Sequence, residues 1–164
     1  MAYFTDQFEG KKYFKSINFH HLEFYVGNAK QACEYYKNIF GFSDYAYAGP
    51  ETGLKDQVSY VVRKNKIFYV LTTPLKSDNP ISNWLLKHGD GVYDIAFSVD
   101  SVKDAYEGCL ERGGESINNL IVINDKNGYF SEASIKSYGD CIHSFINNSE
   151  YKLWAPNFIE NLTS

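Results

Sequence analysis

The sequence predicts an α+β domain in which two βαβββ modules form a half-open barrel of strands with the helices outside. The first observation is an internal repeat, since residues 21–41 align with residues 94–114 and place Phe24 on Phe97. A repeat of this kind is usually one structural unit that cannot bury its apolar face alone. The second observation is the order of patterns, because in each copy one strand precedes one helix and three further strands. Together they predict one pseudo-symmetric domain with a single concave interior, called the cup below.

The first strand of module one is predicted at residues 18–26. Leu22 and Phe24 fall on one face and His21 and Glu23 on the other, because side chains alternate across a strand. We expect the apolar set to pack against the helix and the polar set to face the cup.

The other elements of module one, which spans residues 17–75, follow from cap and turn residues. Asn28 is predicted to cap the helix and Gly41 to end it. Runs of β-branched and aromatic residues predict three strands, at residues 45–48, 57–63 and 66–72. A short helix that begins at Pro80 and stops before Gly89 joins the modules.

Module two, residues 90–150, repeats this order. Its first strand, residues 92–99, is predicted to turn Asp94 towards the cup. Ser101 starts the helix, and three strands follow at residues 117–123, 129–136 and 141–147. Two segments lie outside the modules, namely an N-terminal extension at residues 1–16 and a tail at residues 151–164.

Composition narrows the class of protein. The 164 residues include 14 Tyr and 12 Phe, and 44% of them are hydrophobic, which is typical of a globular domain. The net charge of −4 and the lack of a long basic run argue against nucleic acid as a partner. No apolar stretch approaches the length of a membrane span. The odd number of widely spaced cysteines (Cys33, Cys109 and Cys141) favours free thiols in a reducing, cytoplasmic setting.

Several strings, in order and at characteristic spacing, resemble the N-terminal half of the 4-hydroxyphenylpyruvate dioxygenase family. They are VGNAKQA within residues 21–42, ETG and VLTTPL within residues 47–75, HGDGV and DIAF within residues 87–99, and YGD followed by a histidine within residues 137–145. The resemblance covers roughly residues 17–158. It implies the vicinal oxygen chelate (glyoxalase/bleomycin-resistance/extradiol dioxygenase) fold.

The resemblance implies a supporting domain rather than a catalytic one. Enzymes of this family use Fe(II) and O2 to convert 4-hydroxyphenylpyruvate to homogentisate in tyrosine breakdown, and their iron ligands lie in the C-terminal half. The expectation for this chain is therefore no catalytic, cofactor-binding or metal-binding residue of its own. Its expected partners are a C-terminal catalytic domain of the same polypeptide, reached through residues 151–164, and further copies of itself in a homo-oligomer.

The residues themselves offer an alternative metal centre. His21, Asp94 and His143 occupy strand positions that could face the cup, and two histidines with one carboxylate suit non-haem Fe(II). A fourth ligand position is expected near Phe68 and Tyr69. On this hypothesis the chain is a free-standing metalloenzyme. The competing interpretation makes the three residues a hydrogen-bonded polar cluster in a filled cup.

A third hypothesis is a non-enzymatic protein that binds a small aromatic ligand among Tyr25, Tyr69 and Phe145. Two further histidines are interpreted structurally. His20 is expected to pack against the helix layer or to be exposed, and His88 to interact with the C-terminal end of a helix.

Overall fold

The computed structural model describes residues 13–160. Module one consists of β1 (Ile17–Tyr25), α1 (Ala29–Phe40), β2 (Ser43–Ala48), a 3-10 turn (Pro50–Thr52), β3 (Gln57–Lys64) and β4 (Ile67–Pro74). The connecting helix is α2 (Pro80–His88). Module two consists of β5 (Gly91–Val99), α3 (Val102–Glu111), β6 (Ser116–Asp125), β7 (Gly128–Lys136) and β8 (Ile142–Tyr151), and the tail adds β9 (Ile159–Glu160). Among these residues no helix is long and apolar enough to cross a membrane.

The strands form one nine-stranded sheet whose order reflects the repeat. The order is β6-β7-β8-β5-β1-β4-β3-β2-β9, with β1 and β5 antiparallel at the centre. The first and last strands of each module pair in parallel, β1 with β4 and β5 with β8. Each module therefore repeats the same path on its own side of the central pair, and the predicted α+β fold of two βαβββ modules is confirmed.

Local signals set the ends of the helices as expected. The side chain of Asn28 accepts a hydrogen bond from the backbone of Gln31 and so caps α1, and Ser101 caps α3 in the same way. Gly41 ends α1 in the left-handed conformation, at φ 69°, which glycine adopts without steric cost. These caps fix where each helix meets the sheet.

Each helix covers the outer face of its own module. α1 buries Ala29 and Cys33 against Leu71 and Val62 of the sheet. α3 buries Val102 and Ala105 against a second cluster that contains Phe145. Burying apolar side chains contributes about 1.5–3 kcal/mol for each large residue that leaves water. The two outer layers therefore supply the first part of the core.

The inner face of the sheet carries a second core, to which the tail contributes. Trp154 and Phe158 pack against Ala46, Val61 and Val70 on the side of module one. On the side of module two, Leu153 and Ala155 pack against a cluster of Ala96, Phe130, Ile146 and Tyr151. The tail also adds β9 to the edge of β2. The sequence analysis did not foresee that residues 151–160 fill part of the cup.

Candidate functional site

The cup retains a cavity of about 130 Å³ beneath the tail. Its polar wall comes from the inner face of the sheet and includes His21 and Glu23 of β1 and Glu132 of β7. Its apolar wall includes Trp154 and Phe158 of the tail. The cavity is therefore acidic on the sheet side and aromatic on the tail side.

A chain of hydrogen bonds leads to Glu23. The hydroxyl of Thr72 donates to Glu23 Oε1 at 2.6 Å, so the hydroxyl of Ser59, 2.8 Å away, donates to Thr72. The amide of Gln57 donates to Ser59 at 3.4 Å. Ser59 and Thr72 are fully buried.

Asp94 lies in the same interior and is held separately. The backbone amide of Ser144 donates to Asp94 Oδ1 at 3.0 Å, and the Ser144 hydroxyl donates to Oδ2. The strand pairing places Asp94 opposite Glu23 on the neighbouring strand. Because both of its oxygens already accept a hydrogen bond, Asp94 is a satisfied buried polar group.

Burial raises the pKa of all three carboxyl groups. Loss of solvent raises the pKa of Glu23 to about 8, although the hydrogen bond from Thr72 opposes the rise, and Asp94 and Glu132 add like-charge repulsion. Burial likewise raises the pKa of Glu132 to about 7, with a further contribution from Asp94. The pKa of Asp94 rises to about 6 for the same reason, against the hydrogen bonds from Ser144. Because Asp94 has the lowest pKa of the three, its ionised form opposes the ionisation of both glutamates.

The two adjacent histidines of β1 form a pair at the mouth of the cup. His20 Nδ1 lies 2.7 Å from His21 Nδ1, and both rings pack against the indole of Trp154. Burial lowers the pKa of His20 to about 4 and the pKa of His21 well below its ordinary value. Both imidazoles are therefore neutral near pH 7.

The prediction that His143 faces the cup is wrong. Its Nδ1 lies 3.0 Å from the carbonyl of Ile95 and its Nε2 lies 2.9 Å from the hydroxyl of Ser137, while its ring packs against Phe97 on the helix side. The cup position beside Asp94 belongs to Ser144, the next residue. Both faces of a parallel strand are buried, so apolar residues do not alternate and the face could not be inferred.

The prediction for His20 is also wrong. A register shift between Phe19 and His21 interrupts the pairing of β1 with β5. Such a bulge adds one residue and re-aims the side chains near it. As a result His20 and His21 both line the cavity instead of facing opposite sides of the sheet.

The other predicted positions divide between the two faces. Phe68 packs against Trp154 inside the cup, whereas Tyr69 joins Phe24 and Tyr36 in the helix layer. The cup positions of β4 that approach Glu23 are occupied by Val70 and Thr72, which are not metal ligands of the expected kind.

The three aromatic residues of the third hypothesis do not meet. Tyr69 and Phe145 belong to separate helix layers. Tyr25 stacks on Tyr93, with ring centroids 4.1 Å apart. A ligand site among Tyr25, Tyr69 and Phe145 is therefore contradicted.

His88 lies where the sequence analysis placed it, at the end of α2. Its Nε2 is 2.6 Å from Asp140 Oδ2. The Asp140 carboxylate also contacts Lys87, and these two hydrogen bonds hold its pKa below the ordinary value, with Lys87 the larger influence. This cluster is exposed.

Within residues 13–160, no group of three or more His, Cys, Asp or Glu side chains is arranged to hold a metal ion. His21 and Asp94 face the cup, but His143 lies on the opposite face of the sheet. The residues present therefore do not fit the two-histidine, one-carboxylate iron site that was considered from the sequence.

Comparison with known proteins places this geometry in a family. The profile of the Glyoxalase/Bleomycin resistance protein/Dioxygenase superfamily matches residues 18–130. The chain belongs to this superfamily. Among solved structures, a triple mutant of 4-hydroxymandelate synthase from Streptomyces coelicolor superposes with a TM-score of 0.78 at 24% identity, over 88% of this chain and 41% of that one. At that identity the similarity confirms the fold alone.

Two relatives show which proteins of the superfamily this chain is similar to. A protein named 4-hydroxyphenylpyruvate dioxygenase from Danio rerio is 39% identical over 99% of this chain and 42% of its own length. A protein of the same name from Dictyostelium discoideum is 39% identical over 89% of this chain and 41% of its own length. The chain thus spans about two-fifths of the relatives it matches, and the predicted resemblance to their N-terminal half is confirmed.

The sequence analysis missed most residues of the cavity. Glu132 and Ser59 line the cavity, and Thr72 and Ser144 bond to its neighbouring carboxyl groups, but each is one of several polar residues in its strand. A lone Glu inside the string FSEASI was the available signal for Glu132. Trp154 was placed in a tail without periodicity, so nothing indicated that it packs into the cup.

Proposed function

We propose that this chain is the N-terminal, non-metal-binding domain of a 4-hydroxyphenylpyruvate dioxygenase-like enzyme and supports a catalytic half in the same polypeptide. The observation that carries the proposal is the match of nearly the whole chain to about two-fifths of relatives with that name. In such an enzyme, Fe(II) and O2 would convert 4-hydroxyphenylpyruvate to homogentisate in tyrosine catabolism, and the iron would be held outside these residues.

The contents of the cup support a structural role for this half. The tail places Trp154 and Phe158 against the inner face of the sheet, where they bury Val61 and Val70. Part of the polar lining is held by internal hydrogen bonds, as Asp94 is by Ser144 and Glu23 by Thr72. A domain whose interior is packed in this way is suited to present its outer surfaces to a neighbouring domain.

The proposal extends to the setting of the enzyme. We place it in the cytoplasm, because its three cysteines form no disulfide and free thiols are typical of reducing compartments. The partners we propose are the catalytic domain that would follow residues 151–164 and other copies of the same polypeptide in a homo-oligomer.

The test is to load the purified 164-residue chain with Fe(II) under anaerobic conditions and to measure bound iron and oxygen uptake with 4-hydroxyphenylpyruvate. We expect no stoichiometric iron and no substrate-dependent oxygen uptake. One iron per chain that is lost in the His21→Ala variant would contradict the proposal. His143→Ala serves as the matched control, because His143 lies on the opposite face of the sheet.

A further inference from the structure

We propose that the cup cavity binds a small primary ammonium ion between Glu23, Glu132 and His21, with the aromatic side chains of the tail as its roof. The inference goes beyond the proposed supporting role and does not depend on it. It stands on the hydrogen-bonding capacity of the cavity wall, which is rich in acceptors and whose hydroxyl donors are already engaged.

The donors of the wall are already engaged. The Gln57 amide donates to Ser59, Ser59 donates to Thr72, and Thr72 donates to Glu23 Oε1. The Ser144 amide and hydroxyl donate to Asp94. Each hydroxyl has one hydrogen to donate. No hydroxyl of these chains therefore has a hydrogen left for the two glutamates.

A second chain of hydrogen bonds fixes the tautomer of His21. The Asn148 amide donates to the carbonyl of Trp154 at 2.9 Å, so its oxygen faces His20 Nε2, 3.2 Å away, and accepts a hydrogen from it. Neutral His20 then carries no hydrogen on Nδ1, which must accept from His21 Nδ1 at 2.7 Å. The remaining nitrogen, His21 Nε2, is consequently an unprotonated acceptor.

Three acceptor groups remain for a ligand. Within residues 13–160, Glu132 makes no hydrogen bond, and its partly buried side chain lines the cavity. Glu23 keeps one oxygen that does not bond to Thr72, and His21 keeps Nε2. No fully buried side-chain N or O atom of the described residues lacks a partner, so these acceptors border accessible space, where a ligand or solvent can donate several hydrogen bonds to them. An –NH3⁺ group has three donors and no acceptor.

The charge of the cavity indicates a cation in particular. The described residues that line it include two glutamates and no Lys or Arg. A bound cation would offset the charge of the ionised carboxylates, whose burial alone is costly. Without a bound cation, the protons that Glu23 and Glu132 retain neutralise these two carboxyl groups instead.

The apolar wall favours an organic ammonium ion over a metal ion. Trp154, Phe158 and Phe130 offer aromatic surface, which attracts ammonium groups through the ring quadrupole and accommodates their methyl groups. No metal-holding group of side chains occurs among the described residues. The volume of about 130 Å³ has room for a few water molecules or a ligand of a few heavy atoms.

Binding is expected to release protons and to strengthen as pH rises. Retained protons on Glu23 and Glu132 must leave before an ammonium ion can pair with both groups. Other titratable groups of the neighbouring strands also influence this step, and they are Asp94 and Tyr93 of β5 and His20, His21 and Tyr25 of β1. Of these, Asp94 is the only carboxyl group, and its negative charge opposes the ionisation of both glutamates.

The experiment is a thermal-shift titration with methylammonium chloride at about pH 8.5, where the glutamates ionise most readily. A ligand bound only by the folded chain raises Tm in a saturable way. We expect this rise for the natural chain and for Glu150→Gln, an exposed control, but not for Glu132→Gln. We also expect a weaker rise at about pH 6.

Three results would overturn the inference. They are a rise no larger than that caused by sodium chloride, an equal rise with tetramethylammonium, which has no N–H to donate, and an equal rise in Glu132→Gln. If Glu132→Gln fails to fold, Glu23→Gln replaces it with the same expectation. Isothermal titration in buffers of different ionisation enthalpy then reports whether protons are released. None of these results depends on iron content, so they leave the proposed function to its own test.

Discussion

The rings of Trp154 and His20 pack against each other at an interplanar angle of 46°, with ring centroids 4.7 Å apart. Asn148 joins the same two residues, because its amide donates to the Trp154 carbonyl while its oxygen accepts from His20. The tail, which lies outside the repeat, is thus locked to the first strand of module one through a residue of module two. The tail therefore covers part of the cup that the repeated elements form.

Trp154→Ala should destabilise the fold. The variant removes an indole that packs on His20, His21, Tyr45 and Phe68. Because Trp154 is only partly buried, we expect a loss of about 2–3 kcal/mol in the free energy of unfolding, less than the roughly 3–5 kcal/mol for a buried Trp. Urea denaturation measures it. Leu86→Ala, at a side chain that is 85% exposed, should change the value by less than about 0.5 kcal/mol.

Stability should fall as pH rises from about 6.5 to 8.5. The pKa of Glu23 is about 8 and that of Glu132 about 7 in the folded chain, against an ordinary value of 4.5. A raised pKa means that the folded state binds the proton more tightly than the unfolded chain does. The stability that protonated Glu23 contributes is therefore complete below pH 4.5 and is lost as the pH rises through 8. The pKa values of His20 and His21 are lowered, so these histidines change the pH dependence of stability only below pH 6.5.

The measurement for this pH dependence is Tm at constant ionic strength. We expect Glu23→Gln to flatten the curve above neutrality, because the amide does not titrate. Glu150→Gln should keep the slope of the natural chain. A slope that survives in both Glu23→Gln and Glu132→Gln would assign the effect to other groups.

The elements of the fold could be predicted from the sequence because their signals are local. Asn28, Ser101 and Gly41 fix the helix ends through contacts with residues close by in the chain. The internal repeat then gave the arrangement of the modules. The faces of two strands could not be predicted, since a one-residue slip turns every side chain to the other side.

The positions of the side chains inside the cup depend on contacts between residues that are far apart in the sequence. The bulge at His20 exists because β1 pairs with β5, which lies far along the chain. The position of His143 depends on the register of β8 against β5. Trp154 reaches the cup through contacts with residues more than a hundred positions away, such as His20 and His21. None of these contacts leaves a periodic pattern in the sequence.

Ser144→Ala should cost about 1–3 kcal/mol of stability, because it leaves one oxygen of the buried Asp94 without its hydroxyl partner. Ser149→Ala removes an exposed hydroxyl from the same strand and is the control. Denaturation at about pH 7 measures both. Equal effects of the two substitutions would show that the pair of Asp94 and Ser144 contributes little.

Gly128→Ala should be far more harmful than Gly139→Ala. Both glycines have positive φ, 116° and 62°, so each substitution carries about 1–2 kcal/mol of backbone strain. At Gly128 an added Cβ would also collide with the carbonyl oxygen of Glu150 on β8, whereas nothing lies near it at Gly139. Thermal unfolding of the two variants should therefore differ, and equal melting temperatures would contradict the described pairing of β7 with β8.

The most direct test of the supporting role is a chimera in which this chain replaces the corresponding part of the Danio rerio relative. Oxygen uptake that depends on 4-hydroxyphenylpyruvate is the measurement, and the relative without that part is the control. We expect the chimera to turn over substrate with iron bound outside these 164 residues. A folded, iron-loaded chimera that consumes no oxygen with this substrate would contradict the account.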